Sequence, residues 1–339
     1  MNQRLGVAVV GCGLIGRRRA AEAAADPRSR LVLVADRLAD VAGELASQTG
    51  AEAATDWREA LTRPDVDLVC VATPNGRLAE ITVAALGAGK HVLVEKPMGR
   101  SLAEAERMRA AARASGRLLK VGFNHRYHPA IAEAKQRLDA GDVGRIINLR
   151  CRYGHGGRPG YEHEWRGSRE LAGGGELADQ GVHVIDLIHW FAGIPESAFA
   201  LVQTAVWPLG PLEDNAFALL RLREGAVAAF HTSWTQWKNL FSFEVFGTAG
   251  ALLVEGLGGS YGPETLTTHV RRPGGGAPVT TQQAFPGVDC SWRQEWDDFL
   301  CGVLDGRQVV GTADDGVTAM RVLDALYRSA VSGVPERLA

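Results

Sequence analysis

Leu5-Gly-Val-Ala-Val-Val10 runs directly into Gly11-Cys-Gly13-Leu-Ile-Gly16, and the helix-forming stretch Ile15–Ala25 follows. A short β-branched run, a turn with glycines at its first, third and sixth places, and an Ala-rich segment read as strand, turn and helix. Glycines there permit a tight turn and a close approach of backbone to a ligand. The helix N-terminus offers unpaired N–H groups and the positive end of a dipole to an anion such as a pyrophosphate. The helix stops at Asp26-Pro27, and a second strand, Leu31–Ala35, ends at Asp36-Arg37. An acid at that place accepts hydrogen bonds from ribose hydroxyls. Gly11, Gly13, Leu14, Ile15, Gly16, Asp36 and Arg37 are therefore expected to hold a dinucleotide. A 2′-phosphate would meet the Asp36 carboxylate, which favours NAD. Arg37, able to stack on adenine or to pair with that phosphate, keeps NADP open.

Outward from this unit the alternation continues. Strand-like runs at Leu68–Ala72, His91–Val94 and Leu118–Gly122 are separated by Ala-rich segments, one of them opened by Ser101-Leu-Ala-Glu104 and closed at Gly116. Continuous apolar strands with helices between predict an α/β fold with a doubly wound parallel sheet, over residues 1–122. Open parallel sheets bind ligands at the carboxyl ends of their strands. That places Thr73-Pro74-Asn75 and Glu95-Lys96-Pro97, each at a strand end, beside the expected cofactor.

From residue 123 to 339 the texture changes. A helix Pro129–Leu138 and a strand Arg145–Tyr153 lead into a Gly/Arg/Glu-rich loop, His155–Gly175, and then a strongly apolar helix from about Leu177 to Phe191. Strands follow at Phe199–Trp207, Ala216–Arg223, Val227–Gln236, Ser242–Phe246, Ala251–Glu255 and Thr265–Arg271, joined by tight turns that imply a mainly antiparallel sheet. Helices Trp292–Leu304 and Asp314–Val331 close the chain.

The segment Gly173-Gly-Gly175-Glu-Leu-Ala-Asp179-Gln-Gly-Val-His183-Val-Ile-Asp186 carries the second candidate site. Asp179 and His183 are four apart, so a helix stacks them on one face, where a carboxylate fixes the tautomer of an imidazole suited to proton transfer. The glycines ahead are expected to let backbone approach a ligand. Asp186, three residues on, is a second candidate to orient the ring. His189 lies six past His183, more than half a turn round, which argues against one shared metal site, and no metal is expected. In the preceding loop Tyr153, His155, Arg158, Tyr161, Trp165 and Arg166 offer ring faces for sugars and guanidinium groups for anions. Trp234, Trp237 and Tyr327 read as core or sheet-face residues.

Composition narrows the classes. With 37 Lys+Arg against 39 Asp+Glu, a net charge of −2, the chain lacks the basic surplus that nucleic-acid binding needs. No apolar run is long enough to span a bilayer, and Gly-rich turn chemistry rather than a cleavage site follows the N-terminal apolar stretch, so a cytoplasmic protein is expected. The five cysteines are odd in number, scattered and without a CxxC pair, so neither disulfides nor a thiolate metal site is expected.

The Gly-x-Gly-x-x-Gly turn, Ala72-Thr-Pro-Asn75, Glu95-Lys96-Pro97, Gly122-Phe-Asn-His-Arg126 and the Gly-Gly-Gly…Asp179…His183 helix, in this order, resemble the glucose–fructose oxidoreductase / inositol dehydrogenase / rhizopine-catabolism (Gfo/Idh/MocA) family across essentially the whole chain. The resemblance implies an N-terminal Rossmann domain. It also implies a C-terminal α/β domain whose large open sheet serves substrate binding and the contacts of a homodimer or homotetramer. It implies NAD(P)-dependent hydride transfer at a secondary hydroxyl of a sugar, cyclitol or nucleotide-linked sugar. Lys96, Asp179 and His183 match the family's catalytic triplet, Lys96-Pro97 is often a cis peptide there, and the match adds Asn124 to the cofactor residues and Arg126 to the substrate residues. Many members carry a His three residues after the Asn of Thr-Pro-Asn; here Leu78 stands in its place. On this reading His183 takes the hydroxyl proton, Asp179 orients it or binds a neighbouring hydroxyl, and Lys96 hydrogen-bonds the reacting oxygen. Two rival readings are a redox-neutral glycosidase or lyase that oxidises the sugar transiently, and a catalytically silent, cofactor-sensing regulator.

Overall fold

Strand Leu5–Val10 (β1) is buried along nearly its whole length, as a strand covered by helices on both faces must be. The computed structural model that shows this describes residues 4–338. After β1 come helix α1 (Leu14–Ala25), β2 (Ser29–Ala35), α2 (Ala39–Thr49), β3 (Glu52–Ala54), α3 (Glu59–Thr62), β4 (Leu68–Val71), α4 (Asn75–Gly87), β5 (His91–Val94), α5 (Leu102–Ser115) and β6 (Leu119–Val121). The six strands pair in parallel in the order β3-β2-β1-β4-β5-β6, so the chain reverses its direction of travel between β1 and β4. Ligands bind at this switch point in such sheets. The expected cap at Ser101 forms: its hydroxyl accepts the Glu104 N–H (3.3 Å). The returning half of the capping box goes one residue further back, since Glu104 Oε2 accepts the Arg100 N–H (2.8 Å).

The chain divides into two compact units. The first joins residues 1–123 with 170–173 and 292–317. The second comprises residues 124–169, 174–291 and 318–339. The core of the first unit therefore includes Trp296, Phe299 and Leu300 beside Val7, Val9 and Leu93.

The second unit holds α6 (Pro129–Asp139) and β7 (Ile146–Gly154). The one-turn helix α7 (Arg169–Ala172) precedes α8 (Val182–Ala192) and then β8 (Ser197–Gln203), β9 (Asn215–Arg221), β10 (Val227–Ser233), β11 (Leu240–Gly247), β12 (Gly250–Glu255), β13 (Glu264–Val270) and β14 (Val279–Phe285). Helices α9 (Ser291–Asp305) and α10 (Ala313–Ser332) and strand β15 (Glu336–Arg337) end the chain. Nine strands form one sheet in the order β14-β13-β12-β11-β7-β10-β9-β8-β15, antiparallel except where β7 and β10 run together. In β9, Ala216, Ala218 and Leu220 point inward, while Phe217 and Leu219 stand 46% and 51% exposed on the outer face. Strand β14 was not expected from the sequence: its seven residues are nearly all exposed, so no hydrophobic alternation marks it.

Candidate active site

In the first unit the site begins at the β1–α1 turn. Gly11 has φ +93°, and a Cβ there would stand 2.5 Å from the Ala72 carbonyl oxygen at the end of β4. A Cβ on Gly16 would overlap the Gly11 carbonyl oxygen at 1.7 Å, so the helix packs directly on the turn. At Gly13 nothing lies within 4 Å of the missing Cβ. Two glycines are thus consumed by the fold and the middle one leaves open space. No side chain caps α1 at Gly13, so its first N–H groups face outward as an anion cradle. Leu14 behind it is 71% exposed. Asp36 is held in place: Oδ2 accepts the Cys12 N–H (2.9 Å) and Oδ1 the Leu38 N–H (3.1 Å). At the switch point Thr73 has a buried hydroxyl oxygen without a hydrogen-bond partner. Pro74 is the N-cap residue of α4, and Asn75 Nδ2 donates to the Ala172 carbonyl (2.8 Å).

Glu95 is held by a buried cation. It accepts from Arg19 Nε (2.7 Å), and Arg19, 1% exposed, also donates from Nη1 to Glu295 (2.6 Å) while its guanidinium lies over Trp292. Burial raises the pKa of Glu295 above the ordinary glutamate range, and the Arg19 cation opposes that rise. A Cβ on Gly122 would stand 2.8 Å from Arg19 Nη2 and 3.1 Å from Glu95 Oε1, so this ion pair needs a glycine there. The cofactor helix, the strand end before Lys96 and α9 are tied by one buried triad. Lys96 itself is half-buried, and the Lys96–Pro97 peptide bond is cis.

In the second unit the Asp179–His183 segment departs from the expected α-helix. Leu177–Gly181 is a π-helical turn, with α8 beginning only at Val182. Such one-turn widenings occur often at functional sites, and they shift the i,i+4 face that an α-helix would present. Asp179 Oδ2 accepts from Arg166 Nε (3.1 Å), a pairing that sequence spacing did not show. Asp186 does not serve the imidazole as a free carboxylate. Arg126 Nε and Nη2 donate to its two oxygens at 2.9 and 2.6 Å, both residues being buried. Arg126, expected on the substrate, thus has its guanidinium committed inside the fold.

His183 is 5% exposed and stacks on His125, with ring centroids 3.8 Å apart and planes at 23°. Tyr153 meets His125 edge-on at 5.2 Å and lies 5.6 Å from Tyr261, whose hydroxyl accepts from Gln180 Nε2 (3.2 Å). Burial, with Tyr261 and Glu176 beside it, pushes the Tyr153 pKa well up; burial lifts Tyr261 to about 12. Both phenols therefore remain protonated donors near neutrality. Asn124 donates to Ser291 Oγ (3.0 Å), and its Oδ1 lies 3.3 Å from His125 Nδ1. The loop residues pair among themselves: Arg158 with Glu164 (2.7 Å), and Arg166 over the Trp165 ring. Burial lowers the pKa of His155, whose Nδ1 accepts the Gly157 N–H (3.0 Å).

Glu213 and Tyr327 are the site residues that sequence reading missed. Glu213, 5% exposed, accepts the Gly175 and Leu177 N–H groups (3.0 Å each) and the Tyr327 hydroxyl (2.8 Å) on one oxygen. It caps the turn that bears Asp179. A Cβ on Gly174 would stand 2.1 Å from the Tyr327 hydroxyl, and one on Gly175 2.1 Å from the Glu213 carbonyl oxygen. These two glycines admit protein, not a ligand, which corrects the expectation. No sequence signal ties Glu213 or Tyr327 to this turn, because both are distant in the chain. Trp234 is core, at 1% exposure, but Trp237 is 73% exposed and is not. The five cysteines are free, and burial raises the Cys12 and Cys70 thiols to about 12, leaving them inert.

Comparison with known proteins places this geometry. The model of an oxidoreductase family with an NAD-binding Rossmann fold matches residues 5–123, and that of the GFO/IDH/MocA C-terminal domain matches residues 131–253. The chain is 32% identical over 333 residues to 1,5-anhydro-D-fructose reductase of Ensifer adhaerens, covering 96% of each. It is 31% identical over 286 residues to levoglucosan dehydrogenase of Pseudarthrobacter phenanthrenivorans, covering 74% of this chain and 73% of that protein. A levoglucosan dehydrogenase structure in complex with NADH superposes with a TM-score of 0.90 at 26% identity, covering 99% of this chain and 100% of the other. The residues present fit such a dinucleotide: the space at Gly13, the uncapped α1 N-terminus and the orphan Thr73 hydroxyl all lie at the strand ends of the switch point. Among the described residues no helix is long and apolar enough to cross a membrane.

Proposed function

The chain belongs to the Gfo/Idh/MocA family of NAD(P)-dependent oxidoreductases, and from that premise we propose that it transfers a hydride between nicotinamide and a secondary hydroxyl of a sugar or cyclitol, with His183 as the proton acceptor. The observation that carries the proton role is the buried His183 ring, stacked on His125 beside the phenols Tyr153 and Tyr261. The relatives reported above are named for an anhydro-sugar and an anhydro-ketose, which supports a sugar substrate.

When bound, the nicotinamide supplies the redox chemistry; the protein supplies placement and charge. On the turn that Gly11 and Gly16 shape, Gly13, Leu14 and Ile15 would hold a pyrophosphate at the α1 N-terminus, and Asp36, fixed by two backbone N–H groups, would receive the ribose hydroxyls, which favours NAD. Arg37 leaves NADP as a weaker alternative. Thr73 and Pro74 border the cofactor, while Asn75, Glu95 and Asn124, bonded within the protein, set the backbone around it. Lys96 hydrogen-bonds the reacting oxygen and stabilises its growing negative charge. His183 takes the proton of that hydroxyl at a ring nitrogen. Asp179, shared with Arg166, binds a neighbouring hydroxyl, and Tyr153 and Trp165 border the sugar. Arg126 acts one layer back by neutralising Asp186 inside α8.

Residues 1–122 serve the dinucleotide and residues 123–339 the substrate. The outer sheet face, with Leu201, Phe217 and Leu219 at 60%, 46% and 51% exposure, fits a contact between copies in a homodimer or homotetramer. A screen of NADH formation across cyclitols, aldoses, glycosides and uronic acids, run with the parent and His183→Ala, tests the reading. Turnover is expected to fall about 10²–10⁴-fold in the variant with NAD affinity unchanged. Full activity in His183→Ala removes that residue from the mechanism.

A further inference from the structure

The connection from β10 to β11 crosses the end of β7, because Ser233 and Leu240 both pair opposite Gly154. It is pinned at both ends. The Gln236 N–H donates to the His155 carbonyl (3.1 Å), and Asn239 Nδ2 donates to Ser260 Oγ (2.7 Å). Both anchors lead back to the His183 group. His155 follows Tyr153 by two residues, and Ser260 precedes Tyr261, whose ring lies 5.6 Å from that of Tyr153. On this bridge Trp237 is 73% exposed, whereas Trp234 at its start is 1% exposed.

Trp237 is no stray surface apolar residue. Its neighbours Gln236, Lys238 and Asn239 are polar, which suits hydroxyl groups better than an apolar protein partner. Its backbone passes Gly156: a Cβ added there would lie 3.5 Å from the Gln236 carbonyl oxygen, 3.8 Å from Trp237 Cα and 3.9 Å from its Cε3. Gly156 stands three residues beyond Tyr153, a span of at most about 10 Å of extended chain. An indole face complements the C–H face of a pyranose or an aryl group, and this one stands on a bridge anchored at His155, two residues past Tyr153, and at Ser260, next to Tyr261.

We propose that Trp237 is a stacking platform for the group attached to the sugar being oxidised, so that the preferred substrate is a glycoside or disaccharide and not the free monosaccharide. This deepens the proposed function and rests on it. The experiment compares the free sugar that the screen identifies, its methyl glycoside and its phenyl glycoside, with the parent, Trp237→Phe and Trp237→Ala, and records the mass of each protein in solution. Trp237→Ala is expected to raise KM for the phenyl glycoside roughly three- to tenfold, to leave KM for the free sugar unchanged and to keep the parent's mass. Trp237→Phe is expected to retain most of the glycoside affinity. Oxidation of all three sugars with Trp237→Ala indistinguishable from the parent, or an equal loss on all three, overturns the platform alone. A change of mass in Trp237→Ala assigns the indole to a contact between copies and overturns it as well. A parent that oxidises no sugar refutes the function itself, and the platform with it.

Discussion

Tyr327→Phe removes one oxygen atom, and the structure says what depends on it. The hydroxyl donates to Glu213 at 2.8 Å, and that same carboxylate oxygen accepts the Gly175 and Leu177 N–H groups at 3.0 Å each. A hydrogen bond to a buried charged group contributes about 1.5–3 kcal/mol. The ring of Phe fills the same space, so no cavity adds to the loss, and the variant is expected to fall by that amount. pH supplies the second test. Burial raises the Glu213 pKa, and the Tyr327 hydrogen bond opposes that rise. A carboxyl whose folded pKa lies above its unfolded value, about 4.3, favours folding most below that value and loses its contribution as pH climbs through the folded one. Without Tyr327 the folded value climbs further. The deficit of Tyr327→Phe is therefore expected to be smaller near pH ~4, where the carboxyl is mostly protonated in both states, and to grow as pH rises to ~8. Urea unfolding followed by tryptophan fluorescence measures it at both pH values, and a double-mutant cycle with Glu213→Gln isolates the pair. A loss equal at both pH values, or the same loss from Tyr327→Phe in the Glu213→Gln background, refutes the argument.

Gly13 and Gly16, two of the three glycines of the nucleotide turn, separate fold from function. Gly13→Ala meets nothing within 4 Å and is expected to fold normally yet lose about tenfold or more in NAD affinity by calorimetry, whereas Gly16→Ala meets the Gly11 carbonyl at 1.7 Å and is expected to lower the melting temperature sharply. Arg19→Leu strands the buried carboxylates Glu95 and Glu295, which is expected to cost about 3–5 kcal/mol in urea unfolding, and adding Glu295→Gln is expected to recover part of it. Asp36→Ala is expected to weaken NAD about 10–100-fold while NADP loses less, read as the ratio of the two dissociation constants; an unchanged ratio assigns cofactor choice elsewhere.

What the sequence made legible was local. The strand–turn–helix at Leu5–Gly16, the apolar runs of β4 and β5 and the cap at Ser101 are decided by neighbours a few residues away, so periodicity and turn chemistry expose them. Strand β14 left no trace because an edge strand with Thr-Thr-Gln-Gln exposed on both faces buries nothing. The π turn at Leu177–Gly181 was hidden for another reason. Its residues satisfy a helical pattern, and the groups that meet it, Glu213 at the Leu177 N–H and Thr232 beside Gly181, lie on a distant strand or its approach. Ion pairs were the least legible. Arg126 and Arg166 look alike in sequence, yet one is sealed against Asp186 and the other reaches Asp179 from a half-buried loop.

That difference bears on how a redox site keeps its charges apart. Arg126 and Asp186 cancel within the protein, where a two-pronged pair in low dielectric is costly to break, so neither is available to a substrate. Asp179 keeps a partner that is itself 27% exposed on its side chain, so its pairing is looser and a sugar hydroxyl can compete for the carboxylate. Sequence spacing offered Asp179, four before His183, as its partner and Asp186, three after, as a second candidate to orient the ring. Burial agrees with that order: the carboxylate whose cation is sealed beside it holds the helix, and the one whose cation arrives on a loop is the one the proposed mechanism gives to the substrate.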